Sequence, residues 1–93
     1  MASKDLMNLW NMITNDLQRA RATLPAGAVE DRVIKAYEEY LEHNELEVAC
    51  DMLEVYAEDH DVTPEFWLSL RDASLKMELR ERAARYASEA SEG

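Results

Sequence analysis

The stretch Glu58-Asp59-His60-Asp61-Val62-Thr63-Pro64-Glu65-Phe66-Trp67-Leu68-Ser69-Leu70 carries the clearest structural signal in the chain. Four polar residues form a turn. Thr63 then offers a side-chain oxygen to the first free backbone N–H groups of a helix. Pro64 fits the first helical position, where no N–H is needed, and Glu65 sits near the positive end of the helix dipole. Phe66 or Trp67, Leu70, Ala73 or Ser74, and Met77 follow at helical spacing. The spacing predicts a helix from Thr63 that runs through Leu79 toward Tyr86.

The same period extends outward from this start. Leu6, Trp10, Ile13, Leu17, Ala20 and Leu24 recur at intervals of three or four, placing them on one face of a helix that begins near Ser3 and ends at Leu24-Pro25-Ala26-Gly27. A second helix is expected from about Ala28 to His43, with Val29, Val33, Tyr37, Tyr40 and Leu41 on one side and Glu30, Asp31, Glu38, Glu39 and Glu42 on the other. Asn44 with Glu47 three residues later resembles a capping box for a third, in which Leu46, Ala49, Cys50, Leu53 and Ala57 face inward.

Two glycines, two prolines and no alternating runs leave little room for strands. The expectation is an all-α protein, a compact bundle of four helices forming one domain over residues 1–93. Its main buried set is Leu6, Trp10, Ile13, Leu17, Val33, Tyr37, Leu41, Leu46, Ala49, Leu53, Trp67 and Leu70. Residues 87–93 offer no apolar face, so a frayed, disordered tail is expected there.

Charge is distributed less evenly than the apolar residues. Twelve of the 20 acidic residues lie between Ala28 and Asp61, a segment with only Arg32 and Lys35 as basic residues. That segment holds −10, while residues 1–27 hold +1 and residues 62–93 hold −1. Such a segment repels itself when compact and attracts cationic surfaces. An apolar fraction of 47% against 32% charged residues is that of a folded chain rather than a disordered one. No apolar run approaches the length of a bilayer span, and no basic region followed by an apolar run and a cleavage site opens the sequence. One cysteine, Cys50, excludes an internal disulfide. A cytoplasmic protein without membrane contact is expected.

The residue types that carry chemistry are present without the spacing that chemistry needs. His43 and His60 belong to no His-x-x-x-His or Glu-x-x-His pair, so solvated turn histidines are expected rather than metal ligands. Cys50 falls among Leu46, Ala49 and Leu53, without a cationic neighbour in sequence to lower its pKa. Asp59-His60-Asp61 lacks the glycine and closing glutamate of a calcium loop. No glycine-rich phosphate loop or nucleophile motif occurs. Arg80, Arg82 and Arg85 are interleaved with Glu78 and Glu81, which disfavours a nucleic-acid partner. No catalytic, metal or cofactor-binding residues are assigned, and enzymatic activity is not expected.

What remains is the acidic surface of the second and third helices. Glu38, Glu39, Glu42, Glu45, Glu47, Asp51, Glu54 and Glu58 are its candidate partner-binding residues, with Tyr37, Tyr40 and Tyr56 as candidate aromatic anchors. A solvated face that only confers solubility is the competing reading.

From residues 40 to 77 the chain resembles the MafI-type group of small bacterial immunity proteins. The likeness lies in the turn Leu41-Glu42-His43-Asn44-Glu45 opening a helix, the inner-face pair Ala49 and Leu53, a short acidic link, and the helix start Pro64-Glu65-Phe66-Trp67. It covers somewhat less than half of the chain and leaves out the first helix and the arginine-bearing tail. The resemblance implies a cytoplasmic protein that binds and neutralises a polymorphic toxin, commonly one that attacks nucleic acid. Its partner would then be a basic toxin domain. The alternative is a helical adaptor or regulatory module, homodimeric through Trp10, Met7 and Met12 on the first helix.

Overall fold

In a computed structural model that describes residues 4–92, the chain is helical and without strands among the described residues. Five α-helices follow one another: α1 (Lys4–Ala22), α2 (Arg32–Glu42), α3 (Leu46–Asp59), α4 (Pro64–Lys76) and α5 (Arg80–Glu92), with a 3-10 turn at Ala26–Glu30 between α1 and α2. Helix α4 is the centre of one layer, packed on α1 and on α5, while α2 and α3 pair with each other and α3 also touches α1. The expected start of the first helix near Ser3 lies outside the described residues.

The start of α4 forms as its residues dictate. Thr63 Oγ1 accepts from the Phe66 N–H at 3.3 Å, and Pro64 occupies the first turn. The other end differs from the expected continuous helix. Glu78 adopts φ 62°. Its N–H donates to the Leu75 carbonyl at 3.1 Å while the Leu79 N–H reaches back to Ser74 at 2.8 Å. That pair of bonds is a Schellman closure. It normally uses glycine, so a glutamate hides the break between α4 and α5 and the four expected helices become five.

An equivalent closure ends α2. Asn44 has φ 58°, donating to Leu41 at 3.0 Å while the Glu45 N–H donates to Tyr40 at 2.9 Å. Asn44 therefore terminates α2 rather than capping α3, whose N-cap is Glu45 without a side-chain bond. At the front of α2, Asp31 accepts from the Val33 N–H at 2.8 Å. This starts the helix at Arg32 and leaves Ala28 in the preceding 3-10 turn.

Ile13, Leu17, Tyr37, Leu46, Ala49, Leu53 and Leu70 are buried, and Trp10, Val33, Leu41 and Trp67 pack half-buried against them. Leu6, expected inside, is 38% exposed, and Val29 is 54% exposed because it sits in the 3-10 turn. Ile34 fills the place on α2 instead, and Phe66 rather than Trp67 is wholly enclosed. The tail expected to fray is helical to Glu92: Tyr86 is buried and anchors α5, and Ser91 Oγ donates to the Ala87 carbonyl at 3.2 Å. Gly93 lies outside the described residues.

Candidate protein-binding surface

Helix geometry puts Glu47, Asp51, Glu54 and Glu58, spaced four, three and four apart, on one stripe of α3. The stripe is not uniform. At its middle, long side chains from α5 reach across: Arg82 pairs with Asp51 at 2.6 Å and approaches Glu54 at 3.7 Å, and Arg85 pairs with Glu54 at 2.7 Å. The Tyr86 phenol also donates to Glu54 Oε1. Asp51 and Glu54, two of the eight candidate carboxylates, thus hold α5 to α3.

Glu38 lies on α2, 3.4 Å from Arg21 of α1. Glu39, Glu42, Glu45, Glu47 and Glu58 are exposed and make no ion pair among the described residues. Of the candidate aromatic anchors, Tyr37 and Tyr56 are buried and Tyr40 is half-buried.

Beneath the α3–α5 ion pairs, Cys50 Sγ lies 3.8 Å from the Tyr86 hydroxyl, and Arg82 donates to that hydroxyl at 2.8 Å and approaches the sulfur at 3.6 Å. Burial pushes the thiol pKa up, outweighing the pull of Arg82 and the Tyr86 hydrogen bond. Burial also raises the Tyr86 phenol, with Cys50 and the Glu54 hydrogen bond adding to it. Both groups stay protonated at neutral pH, which removes the thiolate a nucleophile would need. A cationic neighbour for Cys50 exists after all, 32 residues away in sequence.

Both histidines are exposed and sit at helix ends. His43 follows the last residue of α2 as its C-cap. His60 stacks on Tyr56 with ring centroids 4.0 Å apart, and its Nδ1 donates to the Tyr56 carbonyl at 2.9 Å. No group of three or more His, Cys, Asp and Glu side chains among the described residues is arranged to hold a metal ion.

Two features of this surface were not among the candidates. A cavity of about 230 Å³ opens beside the α3–α5 pairs, lined chiefly by Glu54, Glu58, Trp67, Arg85, Tyr86 and Glu89. A neighbouring hollow of about 280 Å³ shares Ala57, Trp67 and Glu89 with it and adds His60, Asp61, Val62 and Glu92. The acidic surface therefore continues from the end of α3 onto α5. Only the negative charge of Glu89 and Glu92 is visible in sequence, since their position depends on the turn at Glu78. Between α1 and α4, Asp16 is buried and pairs with Lys76 at 2.6 Å, while Arg19 bonds Ser69 at 3.0 Å and Asp72 at 2.9 Å. These pairs clamp α1 to α4.

No helix among the described residues is long and apolar enough to cross a membrane. A scan of family models, a search of curated proteins and a search of solved structures each returned no match.

Proposed function

We propose that this chain is an immunity protein that binds a basic toxin domain through its acidic surface and thereby neutralises it. The observation that carries the reading is the segregation of charge: −10 lies within residues 28–61, and the candidate carboxylates Glu39, Glu42, Glu45, Glu47 and Glu58 in it are exposed without an ion-pair partner among the described residues. Proteins that act on nucleic acid present basic surfaces to the phosphate backbone, so an acidic helical face is complementary to a nuclease cleft. The resemblance of residues 40–77 to MafI-type immunity proteins supports the same reading.

The test is recovery of a basic protein with the tagged chain from its source cell, followed by assay of that protein's nucleic-acid cleavage with increasing amounts of the chain. Loss of cleavage at an equimolar ratio is expected. Full cleavage in an excess of bound chain would contradict neutralisation.

A helical adaptor, homodimeric through α1, is the second reading. It is favoured by Met7 and Met12 of α1, exposed at 53% and 51%, and by a separate groove of about 460 Å³ lined in part by Leu9, Trp10, Leu46 and Met77. Sedimentation equilibrium separates the two: a dimer that Met12→Glu dissolves supports the adaptor.

A further inference from the structure

The groove formed by the end of α3, the start of α4 and the outer face of α5 has a composition unlike the rest of the acidic surface. Its lining includes an aromatic and apolar part: the Trp67 ring stacks on Tyr86 at 5.7 Å with an interplanar angle of 27°, and Ala57 and Val62 line the hollows with Trp67. Its rim carries Glu58, Asp61, Glu89 and Glu92 around the two neighbouring hollows, with His60 beside Asp61. Arg85 is the one arginine on that rim, and it is already committed to Glu54 at 2.7 Å and to the Tyr86 ring at 5.4 Å. Glu58 and Glu89 make no ion pair among the described residues. Trp67 is half-buried, so part of its ring is open to the cavity.

A cation that is planar, weakly hydrated and able to pair with two carboxylates is the chemistry this combination recognises. Guanidinium meets all three conditions, since it stacks on indole and donates in a fork, whereas ammonium is a strongly hydrated point charge. Arg85 on Tyr86 shows the same arrangement inside the molecule. We propose that this groove receives an arginine side chain of the basic partner, laid against Trp67 and paired with Glu58 and Glu89. The inference rests on the reading of the chain as a binder of a basic protein and names the position at which one residue of that partner docks.

The test uses the full-length chain labelled with nitrogen-15 and titrated with a capped triarginine peptide. The indole N–H resonances of Trp67 and Trp10 are followed together. Trp10 lines a separate groove that shares no residue with this one, so it is an internal control for diffuse attraction to an acidic protein. The Trp67 resonance should shift saturably and that of Trp10 should stay in place. Glu58→Gln with Glu89→Gln, both exposed positions, should weaken binding about five-fold, as loss of two surface pairs implies. A capped trilysine peptide should bind several-fold more weakly. Equal movement of the two indoles, unchanged affinity of the double variant, or equal binding of trilysine would overturn the proposal. The peptide stands in for the natural partner, so the two readings fail separately. A recovered basic partner whose affinity ignores the double variant sinks the groove alone; a saturable Trp67 shift with no basic partner recovered sinks the toxin reading alone.

Discussion

The phenol of Tyr86 donates its proton to the Glu54 carboxylate, so a residue of the last helix is held by a carboxylate of the acidic segment. Arg82 and Arg85 flank the contact, and burial keeps the phenol protonated. Tyr86→Phe removes the donor while keeping the ring on Trp67. A net hydrogen bond to a charged group is worth about 1.5–3 kcal/mol, so urea denaturation should show a loss near the lower end, because Arg85 still satisfies Glu54. An unchanged midpoint would mean that the ion pairs alone hold α5.

Leu53 of α3 is wholly buried in the core. Leu53→Ala should cost about 2–5 kcal/mol, a large share of the stability of a domain this size. Chemical denaturation checks it, and a loss under about 1 kcal/mol would contradict the placement of α3.

Glu78 carries a left-handed backbone conformation at the closure of α4. Glu78→Gly relieves the Cβ clash of that conformation, worth roughly 1 kcal/mol, against a smaller gain in unfolded-state entropy. The melting temperature should rise by a few degrees. A fall would show that the turn gains more from the glutamate side chain than it loses in strain.

Where local chemistry decides structure, the sequence was legible; where partners come from afar, it was not. Thr63, Pro64 and Glu65 are neighbours that cap one helix, and they form it as read. Glu78 has no composition cue, because a Schellman closure without glycine reads as continuous helix, and one hidden turn turned four helices into five. Asp31 was visible as an acidic residue, but only its bond to Val33 shows it as a cap. Among the candidate carboxylates, Glu39, Glu42, Glu45 and Glu47 are as exposed as their pattern implies. Asp51 and Glu54 are engaged by α5, whose register no local signal sets. Asp16 gave no hint of burial, since its partner Lys76 is 60 residues away.

Asp72 should leave a signature in acid. Partial burial works to raise its pKa, but hydrogen bonds and charge from Arg71 and Arg19 outweigh it and hold the carboxyl below its ordinary value of 3.8. A carboxyl with a lowered folded pKa stabilises fully above its unfolded pKa, and that contribution is lost as pH falls through the folded value. Wild type should therefore exceed Asp72→Asn in stability at pH 7, with the gap closing as pH drops below about 4. A gap that stays constant to pH 2, in parallel denaturation series, would contradict the assignment.

The central claim is that the exposed carboxylates of α2 and the start of α3 attract a basic partner, and association kinetics test it most directly. The informative variant replaces Glu39, Glu42 and Glu47 by Gln and leaves Glu54 in place, because Glu54 holds α5. Its control replaces Asp5, Glu65 and Glu81, which are exposed and lie outside residues 28–61. Asp16 is unsuitable as a control because it is buried and paired with Lys76. Surface plasmon resonance against the copurified partner at low salt should show association slowed about ten-fold in the first variant and little changed in the second. Added salt should narrow the difference as charges are screened beyond a Debye length of about 8 Å. Equal association rates in the two variants at low salt would contradict the claim.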